Sequence, residues 1–307
     1  MKPLSISLGD PAGIGPEITA RALAKHPPQG GALLFGDPAS VPPRLRKALA
    51  GYRWSPVSSG GWKPGKPTAA SGEVAFQSVT RAALAVQSGE ARALVTAPLS
   101  KEALHLAGHD WPGHTELLAD LAGLKADEVG MLLAGRGLRV FLVTRHCALK
   151  KAIARLSPEA LDQALEVCVA GLKRSLRIPK PRLALAALNP HAGEAGAFGR
   201  EEIELLAPWV RRRSRARGYT LAGPLAADTL FVQAARGAYD AVLCLYHDQG
   251  LIPLKLLAFD CGVNITLGLP YLRTSPDHGT AWDLVGTGKA DPASMIEALR
   301  IADERSA

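Results

Sequence analysis

Cysteine is scarce in this chain of 307 residues: four in all, Cys147, Cys168, Cys244 and Cys261, widely separated and with no CxxC pair. That scarcity excludes a disulfide scaffold and a thiolate zinc knuckle, and it reads as isolated buried thiols in a reducing compartment. Long apolar runs are missing too, since none approaches the ~18–20 residues of a membrane helix. The opening "KPLSISLGD" lacks the basic flank and small-residue cleavage site of a signal peptide. A cytoplasmic location is expected, with no membrane partner. Aromatic residues make up 5% of the chain, and none interleaves with the arginine-rich stretch "VRRRSRARG" (Val210 to Gly218), as base-stacking platforms would. That stretch continues the helical text of "REEIELLAPW", acidic in its first turn and basic in its last, so it reads as a solvated helix end. No nucleic-acid partner is expected.

What is present is ordinary globular composition, 47% hydrophobic and 21% charged, with Lys and Arg exceeding Asp and Glu by 36 to 28. A chain of this length buries a large core and favours two domains, and the net charge of +8 suits an anionic small substrate. Short β-branched or leucine-rich runs alternate with amphipathic stretches. Strands are predicted at 4–8, 32–35, 93–96, 130–133, 139–144, 182–188, 241–246 and 263–267. Helices are predicted at 15–25, 73–88, 114–122, 158–176, 200–217, 228–236 and 292–304. Strands separated by helices imply an α/β fold with a largely parallel sheet and a ligand crevice at the strand C-termini. "SPVSSGGWKPGKPTAASGE" (Ser55 to Glu73) reads as a surface loop or hinge.

Chemistry-bearing residues gather after the strands. "LGDPAGIGPEI" (Leu8 to Ile18) joins a strand to a helix through a glycine-rich turn, either a plain tight turn or an anion cradle of backbone N–H groups. In "PGHTE", His114 and Thr115 read first as a helix N-cap and second as ligand contacts. Three histidines follow predicted strands: His146 in "FLVTRHCAL", His191 in "LAALNPHAGEAG" and His247 in "LCLYHDQG". They are either hydrogen-bonded rim histidines or, together, three neutral imidazoles for a divalent ion such as Zn²⁺ with a position left open. Lys255, Asn264 and Arg273 are polar or basic residues set in apolar text. Cations of this kind suit a phosphorylated, carboxylated substrate, and equally a structural pair.

The blocks "GDPAGIGPE", "GHTE", "LNPHAGE", "GPLAADTLF", "YHDQGLIPLK" and "GVNITLGLPYLRTSPDHGTAWDLVGTGKAD" run in order over nearly the whole chain. The sequence thereby resembles the 4-hydroxythreonine-4-phosphate dehydrogenase family of pyridoxal phosphate biosynthesis. The resemblance implies an isocitrate/isopropylmalate dehydrogenase-like fold in which two α/β domains share a continuous, largely parallel mixed sheet. Their expected extents are 1–125 with 270–307, the cofactor side, and 126–269, the metal, substrate and dimer side. It implies a homodimer with the active site at the subunit interface and a metal site drawing on both subunits. By the same resemblance, His146, His191 and His247 match ligands of a divalent metal (Zn²⁺, Mg²⁺ or Co²⁺). His114, Thr115, Lys255, Asn264 and Arg273 match contacts to a small phosphorylated amino-acid substrate. "DHGTAWDLVGTGKADP" is similar to the stretch that holds the adenosine end of NAD in the wider fold group, pointing to His278, Gly279, Thr280 and Ala281. The expected cofactor is NAD, with NADP the alternative.

The implied reaction oxidises the secondary alcohol of 4-phosphooxy-L-threonine and decarboxylates the product to 3-amino-2-oxopropyl phosphate. Lys255 is the hypothesised proton carrier, and Asp248 is expected to orient a ligand. Two departures from the family's text, Ala97 in "TAPLSKEAL" and the segment "AFDCG" (Ala258 to Gly262), leave the substrate open between this compound, the 4-phosphates of D-threonate or D-erythronate, and aromatic cis-dihydrodiols, and the retained His114, Thr115, Lys255 and Arg273 favour a phosphorylated one. A rival from another class is a phosphate acyltransferase-like enzyme, which shares the architecture and has no use for three imidazoles around a metal.

Overall fold

The structure is a computed structural model that describes residues 1–58 and 60–306. The strands are β1 (Leu4–Ser7), β2 (Ala32–Gly36), β3 (Arg53–Pro56), β4 (Leu94–Thr96), β5 (Gly130–Gly135), β6 (Leu138–Leu142), β7 (Arg182–Ala186), β8 (Thr220–Leu225), β9 (Ala241–Cys244), β10 (Val263–Leu267) and β11 (Arg273–Pro276). The α-helices are α1 (Gly15–Lys25), α2 (Ala69–Gln87), α3 (Lys101–Leu106), α4 (His114–Leu121), α5 (Leu149–Ala154), α6 (Pro158–Ser175), α7 (Ala207–Arg213), α8 (Ala227–Ala235), α9 (His247–Ala258) and α10 (Ala293–Arg305). The chain divides into two compact units: Met1–Ala126 with the segment from Val263 onward, and Asp127–Gly262.

In the first unit the strands lie in the order β3-β2-β1-β4-β11-β10, all parallel except the β10/β11 pair. β1 and β4 are wholly buried, so alternation is lost and both faces read apolar or small, as in sheets covered on both sides. In the second unit the order is β5-β6-β9-β7-β8, parallel except for β5/β6. Its core joins Leu133, Val140, Leu142 and Val242 to Leu230 and Leu254 of the covering helices α8 and α9. Each such side chain, fully removed from water, contributes ~1.5–3 kcal/mol.

The helices start where their chemistry says they should. Thr68 and Ser71 make a reciprocal capping box on α2, and Ser157 caps α6 ahead of Pro158 and Glu159, with Lys173 and Arg174 in its last turn.

Several predicted boundaries are corrected. α2 begins at Ala69, so the expected loop 55–73 spans only from Pro56, the end of β3, to Thr68; Ser59 within it lies outside the described residues. The predicted helix 200–217 resolves into a π-helical turn, Glu202–Leu206, followed by α7, which ends at Arg213, where Arg212 and Arg213 pair with Asp162 on α6. α4 is capped by Gly113, not by His114 or Thr115, which are its first two residues.

Candidate functional site

In the first unit, alternation along neighbouring strands places Asn264 and Thr266 of β10, Arg273 of β11 and Thr96 of β4 on one face, because Thr266 lies opposite Arg273 and Arg273 beside Leu94. Arg273 is 1% exposed. Its Nε and Nη2 donate to Thr96 Oγ1 at 3.2 and 2.6 Å, and its Nη1 donates to Thr266 Oγ1 at 3.0 Å. Hydroxyls satisfy hydrogen atoms but carry no countercharge, and burial brings the guanidinium down to about 10 even with Tyr271 and Glu116 opposing. An arginine buried with hydroxyls as its hydrogen-bond partners can accept an anion in charge-assisted hydrogen bonds.

His114 belongs to the same cluster. Its Nε2 is fully buried and has no hydrogen-bond partner among the described residues. Burial first, and the Arg273 charge second, hold its pKa well below the ordinary imidazole value, so the ring is neutral and offers an N–H or a lone pair without adding charge. The Oδ1 of Asn264 is likewise buried without a partner. Thr115 is buried on the same helical turn as His114. The sequence reading missed Thr96 and Thr266, because a threonine inside a β-branched run looks like ordinary strand text.

At the C-terminal ends of the parallel strands β1, β4 and β11, the glycine-rich turn meets the segment 278–281. Asp10, Ala12, Gly13 and Ile14 spend their N–H groups on Pro98 O, Asp10 Oδ1, Asp10 O and Thr280 O, at 2.9 to 3.1 Å. The turn is therefore a structural one, with no free N–H cradle at those four positions. A Cβ on Gly13 would stand 2.9 Å from Thr280 Cβ, so only glycine lets the two segments close up. His278 and Gly279 are exposed, Thr280 is half-buried, and Ala281 adopts a left-handed φ of 42°.

In the second unit, β6 and β9 are parallel neighbours, and the segments leaving them bring the rings of His146 and His247 to 5.5 Å between centroids. His247 Nδ1 lies 2.7 Å from Asp248 Oδ1, which leaves Nε2 for another partner. An imidazole oriented by a carboxylate in this way is the usual state of a metal ligand. His191 is not gathered with the other two: its ring lies 6.2 Å from Phe198 and its Nδ1 3.9 Å from Asp228. Among the described residues no group of three His, Cys, Asp or Glu side chains is placed to hold a metal ion. The donor types fit a divalent ion, two of them brought together by one chain and the third carried separately.

The backbone carrying His191 is unusual. From His191 to Ala195 every residue is left-handed, with φ between 42° and 82°, and four of the five are not glycine. Each such residue costs ~1–2 kcal/mol, so the turn persists only because neighbours fix it. The entry to the turn is held by Glu202, 3% exposed. Its Oε1 accepts the N–H groups of Leu188 and Asn189 at 2.8 and 2.9 Å, and its Oε2 accepts Asn189 Nδ2 at 2.8 Å. Nothing in the sequence marked Glu202 or Asn189 as a pair.

α9 carries His247, Asp248 and Lys255. Gly250 lets it lie against the sheet, since a Cβ there would meet Cys244 Sγ at 2.8 Å. Lys255 is half-buried with Nζ 5.7 Å from the Phe259 ring centroid.

Residues 39–302 match the family model described as pyridoxal phosphate biosynthetic protein PdxA. The chain is 46% identical to a 4-hydroxythreonine-4-phosphate dehydrogenase of Geobacter metallireducens, covering 97% of this chain and 94% of that protein. It is 42% identical to a D-threonate 4-phosphate dehydrogenase of Salmonella typhimurium, covering 98% of each. Among solved structures it is similar to a 4-hydroxythreonine-4-phosphate dehydrogenase from Klebsiella pneumoniae, with a TM-score of 0.85, 39% identity and complete coverage of both chains. A β-decarboxylating dehydrogenase from Thermococcus kodakarensis and a branched-chain phosphotransacylase from Enterococcus faecalis share the fold alone, at 14% identity and TM-scores of 0.50 and 0.58. The expected α/β, isocitrate/isopropylmalate dehydrogenase-like class thus holds, and the acyltransferase rival has fold likeness and nothing more.

Proposed function

Because the chain belongs to the family of pyridoxal phosphate biosynthetic protein PdxA, we propose that this dehydrogenase oxidises 4-phosphooxy-L-threonine and releases 3-amino-2-oxopropyl phosphate and CO₂, in pyridoxal 5'-phosphate biosynthesis. The observation that carries the reading is the buried Arg273, bonded to hydroxyls, beside a neutral His114 whose Nε2 has no partner among the described residues. A phosphate supplies the missing countercharge, with Thr115 and Asn264 completing the contacts.

The secondary alcohol loses its proton from oxygen and a hydride from carbon, the hydride passing to the nicotinamide. The resulting β-keto acid then breaks its carbon–carboxylate bond, the electron pair moves to the ketone as an enolate, and a proton returns to carbon. A divalent ion held by His146, His191 and His247 supplies, when bound, stabilisation of negative charge on the substrate oxygen. Asp248 keeps His247 in the tautomer that presents Nε2. Lys255 delivers the proton to carbon or relays it. His278, Gly279, Thr280 and Ala281 hold the adenosine end of the cofactor, NAD with NADP the alternative.

The second copy in a homodimer completes the metal site, a reading supported by the pairing of only two of the three imidazoles by one chain among the described residues. A large apolar face supports the same arrangement. Ile252 and Leu256 of α9 and Val232 of α8 are 58%, 83% and 51% exposed around a groove lined also by Phe231 and Tyr246, and Phe259, the residue after α9, is 81% exposed. A face of this kind on a folded enzyme needs a cover, and a second copy offers an identical one.

D-threonate 4-phosphate is the second reading, favoured by the Salmonella relative; it presents the same phosphate to Arg273 and differs at the substituent beside the reacting carbon. Steady-state rates of nicotinamide reduction with each substrate separate the two. A preference for D-threonate 4-phosphate in kcat/KM would move the assignment to that acid.

A further inference from the structure

We propose that Glu202 is a positioning residue for His191, holding the left-handed turn in the one shape that aims the imidazole at the metal. The inference rests on the reading of His191 as a ligand. The clamp has three strands of support. Glu202 reaches back from the π-helical turn Glu202–Leu206 to take the N–H groups of Leu188 and Asn189, the two residues that leave β7 toward His191. Its other oxygen takes the Asn189 amide, which also donates to Glu201 Oε2 at 2.7 Å, so both carboxylates pin one side chain. Gly193, in the middle of the left-handed run, sits so close that a Cβ there would stand 2.8 Å from Glu202 Oε2. The turn therefore packs directly against the carboxylate and follows it.

A buried carboxylate that holds the backbone entering the turn and lies against Gly193 within it acts on ligand direction, not on ligand basicity. Losing such support costs metal sites about 10- to 100-fold in affinity. Glu202→Gln keeps an oxygen for the two backbone N–H groups but turns an N–H₂ toward the Asn189 amide, so half of the clamp survives. Gly193→Ala keeps Glu202 and forces the turn away from it.

The experiment is Co²⁺ titration of the full-length protein by calorimetry, with the visible absorption of bound Co²⁺ as a report of geometry. Size-exclusion elution and thermal midpoint of each variant are recorded alongside. His191→Ala is expected to lose tight binding. Glu202→Ala is expected to bind about 10- to 100-fold more weakly, with Glu202→Gln between it and the parent and Gly193→Ala weakened with an altered Co²⁺ spectrum. A purely structural Glu202 would lower the thermal midpoint and leave the Co²⁺ affinity of the folded fraction unchanged, which overturns the proposal. Should Glu202→Ala fail to fold, the Co²⁺ affinities of Glu202→Gln and Gly193→Ala decide between the two outcomes. Parent-like Co²⁺ binding by His191→Ala overturns the ligand assignment and the clamp together, whereas weak binding by His191→Ala with parent-like Glu202→Gln and Gly193→Ala overturns the clamp alone.

Discussion

The two units prepare for their ligands in opposite ways. Around Arg273 everything is buried and fixed: a guanidinium 1% exposed, two threonine hydroxyls on neighbouring strands, and an imidazole kept neutral by burial. Around His191 the ring is exposed, its backbone is held in a costly conformation, and its two expected fellow ligands pair without it. The proposed anion cradle draws its arginine and threonines from neighbouring strands of one chain, where a β-sheet fixes side chains by register. The proposed metal centre draws on residues of the segments after strands, and the support proposed for it is the Glu202 clamp and a second copy of the chain.

That contrast can be broken most severely at the metal side. His247→Ala is expected to lower kcat by about three orders of magnitude or more, since several kcal/mol of charge stabilisation go with the ion, while the thermal shift given by inorganic phosphate stays as in the parent. On the anion side, Arg273→Met is expected to lower kcat/KM by about 2–5 kcal/mol, roughly 30- to several thousand-fold, and to abolish the phosphate-induced thermal shift while Co²⁺ binding persists. The two variants should therefore fail in complementary assays. If each loses both ligands, the two halves are not separable.

A change at the apolar face should act only on the shared centre. Leu256→Asp places a charge on a side chain 83% exposed in the single chain. It is expected to shift the protein to a monomer in analytical ultracentrifugation and to weaken Co²⁺ binding, leaving the phosphate shift in place. A dimeric Leu256→Asp protein would place the subunit contact elsewhere.

The smallest effect concerns pH. Burial holds the His114 pKa below the ordinary 6.5, so the unfolded chain takes up this proton first as pH falls. The stability it contributes is present above about pH 6.5 and declines below it, by at most ~1.4 kcal/mol per pH unit, until His114 itself titrates. Urea unfolding at pH 7 and pH 5.5 should show a shallower loss for His114→Asn than for the parent. Equal slopes would mean that the ring is already accessible to protons in the folded state.

Much of the frame was legible because it rests on periodicity. The runs at 4–8 and 241–246 contain β1 and β9, that at 32–35 falls one residue short of β2, and the text at 15–25 and 158–176 contains α1 and α6, whose caps and end charges are written in Pro16, Ser157 and Lys173. β3 and β8 escaped because they form the outer edges, where "RWSP" and "TLAGPL" need no apolar alternation. β11 escaped for the opposite reason: "RTSP" is wholly buried yet opens with three polar residues, with Arg273 bonded to Thr96 and Thr266, and Thr274 donating its hydroxyl to Ala298 O of α10. α9 was hidden by Gly250 and Pro253, which break the helical text while α9 remains continuous.

The site was legible residue by residue only where side chains carry distinctive chemistry, as with Arg273 and the histidines. Thr96, Thr266 and Glu202 became visible through tertiary neighbours, 177, 7 and 13 positions away from the groups they hold. The left-handed run had a faint signal in the small residues of "PHAGEAG", yet four of its five members are types that ordinarily avoid that region.

Metal-dependent oxidation of a phosphorylated substrate is tested by nicotinamide reduction with 4-phosphooxy-L-threonine, measured with and without a chelator. Cofactor reduction and CO₂ release are expected together, both abolished by chelator and restored by added Co²⁺ or Zn²⁺. Reduction that continues undiminished in the presence of chelator, with the protein shown to be metal-free, would contradict metal dependence.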